Sequence, residues 1–420
     1  MSVKRHALYT ALALLVAALI GGAALVVAYE RTLYAGDDSP PAEIVIRGGT
    51  LFAATGRLPV ENPGLVLRDG RIACIGRQCE TSAAAIELDA SGLAILPGLI
   101  ELHGHFYGSR DARGMLGAIW DAVRMRPGLR RALLEAGVTS YRDLGSPRDA
   151  ILETHRALAA GELGGPRLFT AGPIFTAPGG HPAYGGRDPN VTGFGGPMTF
   201  QSDEPEAVRA EIGRLAAEGV DGIKAVFHGP AEPGQPSLPT LSLETLRAIV
   251  AEARRHDLWV AVHVGPLGES AAAAEAGATT IEHGVRNGNA IDEATLETLR
   301  KHEIVYVPTL GQEPGAEKNI PALLAAGVTI GVGTDVADYH DELARLADAG
   351  MPAADVLLAA TRNGARALLR ADELGTIEEG KRADLIVVDG EPWNDVRDLR
   401  AVVAVIRGGR LVVDRRGGGS

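Results

Sequence analysis

The stretch Ile95-Leu96-Pro97-Gly98-Leu99-Ile100-Glu101-Leu102-His103-Gly104-His105 decides how the rest of this chain is read. Its apolar run reads as a strand, and side chains two apart along a strand share a face, so His103 and His105 are placed to bind one ion together. Four further candidate ligands, Lys224, His263, His283 and Asp335, each close an apolar run of their own. That layout describes a metal site around the mouth of a barrel and points to hydrolytic chemistry.

Working outward, strand-like runs alternate with helical ones, the pattern of a parallel α/β architecture. Candidate strands end near His105, Asp143, Phe175, Val226, Val264, His283, Leu310 and Asp335. Eight such units predict a (β/α)8 TIM barrel over 91–370, whose chemistry sits at the C-terminal ends of its strands. The candidate ligands then fall on the first, fourth, fifth, sixth and eighth strands. Helix signals agree: Asp203 with Glu206 reads as a capping box, Val208, Ile212 and Leu215 line one face, and Gly219 ends the element. Ser242 likewise precedes a helix whose Leu243, Leu246, Ile249 and Ala253 face inward.

Residues 43–90 hold short β-branched runs (Ile44–Ile46, Gly64–Leu67, Arg71–Ile75) separated by Gly, Asp-Gly and Arg-Gly turns, the texture of hairpins. The tail, 371–416, repeats it. The two ends are therefore expected to pair into one small β-sandwich domain. Cys74 and Cys79 read as two separate small hydrophobes, with a disulfide across the turn around Gly76 to Gln78 as the alternative.

Residues 1–30 depart from this character. Lys4 and Arg5 precede an apolar run from Ala7 to Ala28, a helix of roughly 30 Å at 1.5 Å per residue, enough to cross a bilayer core. Positive charge before the run, with Asp37 and Asp38 beyond it, orients the catalytic domain outward. A cleaved signal peptide ending at Val26-Val27-Ala28 is the competing reading. Either one exports the protein to a periplasmic or extracellular face, and the anchor would hold it in the inner or plasma membrane. The chain has 420 residues, 46% hydrophobic and 22% charged, with a formal charge of −12. That balance, with few Lys/Arg runs, argues against a nucleic-acid partner.

With these motifs in hand, the sequence resembles the amidohydrolase superfamily, in the branch holding imidazolonepropionase-like enzymes and Xaa-Pro or Xaa-Arg dipeptidases. The resemblance runs from about Glu43 to Val413. It rests on Leu96-Pro97-Gly98-Leu99-Ile100 with His-x-His, Gly222-Ile223-Lys224, Val262-His263, Ile281-Glu282-His283-Gly284, Val307-Pro308-Thr309-Leu310, Gly333-Thr334-Asp335 and Gly380-Lys381-Arg382-Ala383-Asp384-Leu385. It implies a binuclear centre. His103, His105 and Asp335 would hold one divalent ion, His263 and His283 the other, zinc being the natural choice. Lys224, carboxylated by CO2 to a carbamate, would bridge the two ions, and Asp335 would also move a proton from the attacking water to the leaving amine. Physical chemistry agrees, because a lysine bridges two cations only once its ammonium charge is replaced by an anionic group.

Substrate contacts are expected from loops. Gly179-Gly180-His181 resembles the loop after the third strand in the dipeptidase-like branch, which implies that His181 touches a substrate carbonyl or carboxylate. His228 lies just beyond Lys224, and Arg142 at the second strand's end is a further candidate for an anion contact. Glu101, where relatives carry aspartate, is assigned no role. His6, His155, His256, His302 and His340 fit no strand end and are read as surface or helix residues. The reading that follows is an exported metal amidohydrolase acting on a dipeptide or an N-acyl amino acid. A cyclic-amide hydrolase of the imidazolonepropionase kind and a non-catalytic membrane-tethered binding protein are the alternatives. Oligomeric state is left open, a homo-oligomer included.

Overall fold

Leu99–Gly104 forms the decisive strand, and all of its residues are buried. Burial on both faces, with Leu99, Ile100 and Leu102 among its residues, suits the centre of a parallel sheet covered by helices. In the computed structural model, which describes residues 36, 39–107, 125–182, 196–228, 238–265, 269–285 and 288–416, that strand pairs in parallel with Val138–Asp143. The third strand comes in two pieces. Arg167–Thr170 pairs with Val138–Asp143, and Ile174–Thr176 pairs with Gly222–Phe227. Between them Gly172 takes φ 67°, a left-handed conformation that costs glycine nothing. Parallel pairing continues through Trp259–Val264, Thr280–Glu282, Val305–Val307 and Thr329–Ile330.

The last strand returns to the first. The Leu102 N–H donates to the Val332 carbonyl at 2.9 Å, the Asp335 N–H to the His103 carbonyl at 2.7 Å, and Gly104 and Asp335 form a parallel bridge. Eight strand positions thus close into a barrel, with ends close to those read from the sequence.

Helices cover the outside. Leu243–Arg255 starts at Ser242, whose hydroxyl accepts the Thr245 N–H, and buries Leu246, Ile249 and Ala253. Pro205–Glu218 ends on Gly219 at φ 93° and buries Val208, Ile212 and Leu215. Its start corrects the capping-box expectation: Glu204 is the N-cap, with no side-chain cap. Asp203 instead accepts the Ser242 N–H at 2.7 Å and ties two neighbouring helices together.

The ends of the chain build two smaller sheets. One holds Ile44–Arg47, Leu65–Arg68, Arg71–Ile75 and Ile86–Asp89. Its Leu65–Arg68/Arg71–Ile75 hairpin turns at Asp69 and Gly70, both at positive φ, as an Asp-Gly turn allows. The other sheet joins Thr50–Leu51, Val60–Glu61 and Ala94–Pro97 to the C-terminal strands Leu385–Val388, Val402–Arg407 and Arg410–Asp414. Ala94–Pro97 therefore belongs with the small sheets although it lies inside the span read as barrel. A shared cluster including Ile46, Leu67, Ile95, Leu385 and Ile406 fills the space between the two.

Cys74 and Cys79 are joined by a disulfide, which corrects the reading as separate hydrophobes. Sequence spacing could not decide this, because the bridge depends on how the chain folds back after Ile75. The apolar run from Ala7 to Ala28 and His6 lie outside the described residues, as does part of the Gly/Pro-rich loop, 183–195. Among the described residues no helix is long and apolar enough to cross a membrane.

Candidate metal centre

The barrel gathers all six candidate ligands at one rim. Ring centres of His103 and His105 stand 5.6 Å apart, those of His103 and His283 4.7 Å, and those of His263 and His283 4.5 Å. Lys224 Nζ lies 3.5 Å from His103 Nε2, and an Asp335 carboxylate oxygen 3.4 Å from His105 Nε2. Ligand atoms of His103, His283 and Asp335 fall within 4.8 Å of one another, so this trio can hold a metal ion. The trio crosses the two ligand subsets inferred from the resemblance. The two histidines of the opening motif flank Gly104 for a steric reason: a Cβ there would sit 2.0 Å from the Tyr141 hydroxyl.

Hydrogen bonds on the far side of each ring prepare the lone pairs. His105 Nδ1 faces the Gly145 carbonyl at 3.0 Å, and a carbonyl only accepts, so Nδ1 carries the proton and Nε2 is left as a donor to metal. His103 Nδ1 faces Glu282 at 2.8 Å with the same consequence. Burial, then the charges of Lys224, His105 and Arg142, hold the His103 pKa well below its usual value, so the ring is neutral. His283 Nδ1 meets Thr309 Oγ1 at 2.8 Å and Glu313 at 3.2 Å. Lys224 is 3% exposed; burial lowers its pKa to about 8 against the upward pull of Glu282 and Asp335. Imidazoles, a carboxylate and a lysine whose pKa burial lowers form a donor set that fits zinc-like divalent ions.

Backbone conformation marks the same rim. His283, Thr309 and Asp335 have φ of 68°, 48° and 60°, and each closes a successive strand. Such left-handed positions cost side-chain-bearing residues on the order of 1–3 kcal/mol and persist where surrounding contacts enforce them. Here the enforcing contacts are the His283–Thr309 bond and the Asp335 N–H to the His103 carbonyl.

The sequence profile described as "Amidohydrolase family" matches residues 94–412. The chain belongs to the amidohydrolase family. Among its relatives is the ochratoxinase of Aspergillus niger, 28% identical over 87% of this chain and 86% of that protein. An imidazolonepropionase of Geobacillus sp. is 25% identical over 84% and 91%. A solved structure of a Xaa-Pro dipeptidase with bound methionine superposes with TM-score 0.75 at 25% identity, covering 89% of this chain and all of that one. Like these relatives, this amidohydrolase is a hydrolase acting on carbon–nitrogen bonds, which sets aside the non-catalytic reading.

Two of the substrate candidates of this amidohydrolase stand beside the candidate ligand His263. The His181 ring stacks on His263 at 4.8 Å and the His228 ring at 5.7 Å. Arg142 does not, and the expected anion contact is corrected. It is 0% exposed, donates to Glu282 at 2.7 Å and to Thr280 at 3.2 Å, and lies 5.0 Å from the Trp259 ring. Alternation explains the difference: Thr280 and Glu282 share one face of their strand, and the second strand's Arg142 reaches across to it. The four remaining histidines among the described residues also separate. His155, His256 and His302 lie on helices or at their ends, whereas His340, also helical, is buried with Nε2 facing the Ala136 carbonyl at 2.9 Å.

Supporting acids were missed. Glu282, in the sequence merely one letter of Ile281-Glu282-His283-Gly284, holds both Arg142 and His103. Glu101, given no role, accepts the N–H groups of His103 at 2.7 Å and Thr334 at 3.1 Å, lacing the first strand to the loop that carries Asp335. Glu342 accepts the N–H groups of Leu310 and Gly311 just beyond Thr309, and burial raises its pKa to about 7 from an ordinary 4.5. A carboxyl whose pKa is raised by folding contributes stability that is full below 4.5 and lost as pH climbs through 7. Glu342→Gln is therefore expected to flatten the decline of Tm across that window, read by calorimetry against pH.

Proposed function

We propose that this amidohydrolase cleaves an amide bond of a small substrate, a dipeptide or an N-acyl amino acid, at a binuclear centre. The convergence of His103, His105, Lys224, His263, His283 and Asp335 on one rim carries the reading. Lys224, once carboxylated to a carbamate, would hold two divalent ions together with His103, His105, His263, His283 and Asp335, most simply zinc. When bound, such ions supply an acidified water and a polarised carbonyl.

The chain's own residues do the rest. Asp335, partly exposed and 3.4 Å from His105, takes the proton of the attacking water and delivers it to the leaving nitrogen. His181 and His228, beside His263, orient the substrate's carbonyl or carboxylate. The names of the relatives, a Xaa-Pro dipeptidase among them, support a peptide-like substrate.

Pure protein is expected to carry two divalent ions by elemental analysis and to turn over members of a dipeptide and N-acyl amino acid panel with Zn2+ and bicarbonate. A single tightly bound ion beside an unmodified Lys224 would favour ring opening of a cyclic amide, the reading that the relatives named imidazolonepropionase motivate. Export completes the proposal, with an anchor formed by the apolar run from Ala7 to Ala28. The Cys74–Cys79 disulfide supports it, since such bonds persist in oxidising compartments.

A further inference from the structure

Away from the metal centre, arginines that are scattered along the sequence gather where the C-terminal sheet meets the barrel. Arg407 and Arg410 stand directly opposite each other across the hairpin of Val402–Arg407 and Arg410–Asp414. Like charges so placed destabilise an antiparallel pair. Arg167, which begins the third barrel strand, reaches the same place: its guanidinium lies 3.2 Å from Asp384, whose other oxygen accepts the Gly408 N–H. Arg382, two residues before Asp384, holds Glu373 at 2.6 Å. The charges that act most on Arg407 are three cations, Arg167, Arg410 and Arg382, and one acid, Asp384. The Nε atoms of Arg167 and Arg407 are buried without an acceptor.

A guanidinium does not relieve such crowding by losing its proton at neutral pH. Burial and these neighbours bring the Arg407 pKa down only to about 10, which leaves it charged. An incoming anion relieves it instead, and forked guanidinium groups match the paired oxygens of a phosphate. We propose that Arg167, Arg382, Arg407 and Arg410 form a binding site for a phosphate group.

Two sources share that chemistry, inorganic phosphate and a phospholipid headgroup. The Gly36 N–H donates to the Glu162 carbonyl at 3.1 Å, in the loop leading to Arg167. A headgroup source rests on the anchored reading above; free phosphate does not.

The test uses full-length protein in neutral detergent, with labelled inorganic phosphate followed by equilibrium dialysis at fixed ionic strength in chloride. Phosphate also binds metal centres, so the measurement is repeated in His103→Asn/Asp335→Asn, where the ligand set is broken. Phosphate binding is expected to survive that change and to weaken about tenfold or more in Arg407→Gln, which keeps its hydrolase activity. Arg410→Gln provides an independent variant should the first fail to fold. Micelles doped with phosphatidylglycerol, but not phosphatidylcholine, displace the label if the site takes headgroups; no displacement by either assigns it to soluble phosphate. Absence of phosphate binding in the metal-site variant, or unchanged binding in Arg407→Gln, overturns the proposal and leaves the hydrolase reading untouched.

Discussion

Lys224→Ala is expected to lower kcat/KM by roughly three orders of magnitude, about 4 kcal/mol of transition-state stabilisation, and added short-chain carboxylates are expected to restore part of it. Lys224 Nζ stands 3.5 Å from His103 Nε2 inside a ring of imidazoles, where an ammonium would repel any cation the ring held. Burial brings its pKa to about 8 from an ordinary 10.5, so near neutral pH a far larger share of the amine is unprotonated and open to CO2. Truncation removes the proposed anionic bridge but leaves a cavity that a small carboxylate can enter. The ion count should fall with activity and rise again on rescue. If Lys224 merely paired with Glu282 and Asp335, the variant would lose stability, keep its ions and ignore added carboxylate. Wild-type turnover with two ions retained would remove the bridge from the mechanism.

What the sequence made legible follows from where signals are local. His103 and His105 were readable because a two-residue spacing on a strand is a geometric statement in itself. Strand ends were readable where a buried apolar run meets a polar residue, as at His263 near the end of Trp259–Val264, whereas Lys224 lies in the middle of Gly222–Phe227 and Asp335 five residues beyond Thr329–Ile330. Pairings set by the barrel's closure were not. Glu282 looks like one polar letter beside a histidine until Val138–Asp143 and Thr280–Glu282 come to lie across the interior from each other, and only then does Arg142 acquire its partner. Glu101 is similar, since its role depends on Thr334 arriving from more than two hundred residues away. The arginine cluster shows the same limit: a chain with few basic runs still assembles one in space, because Arg167 and Arg407 meet only after the C-terminal sheet docks. The disulfide stayed open because two cysteines five residues apart are compatible with either state.

Arg142 provides the sharpest test of that distinction, because its two readings predict opposite observables. A substrate contact would make Arg142→Met raise KM and leave unfolding unchanged. A buried partner of Glu282 makes the same variant destabilise the fold by about 3–5 kcal/mol, since removing one member leaves an uncompensated carboxylate in the barrel interior. The structure supports the second: both side chains are 0% exposed, and Glu282 spends one oxygen on Arg142 and the other on His103 Nδ1. Denaturant midpoints should therefore fall in Arg142→Met. They should recover partly in Arg142→Met/Glu282→Gln, where the stranded charge is gone. Activity should not recover alongside, because glutamine offers His103 a weaker acceptor, and loss of such an orienting partner typically costs 10–100-fold. A double variant that regains stability without regaining kcat would separate the two duties of Glu282, holding the barrel interior together and aiming His103 at the proposed metal centre.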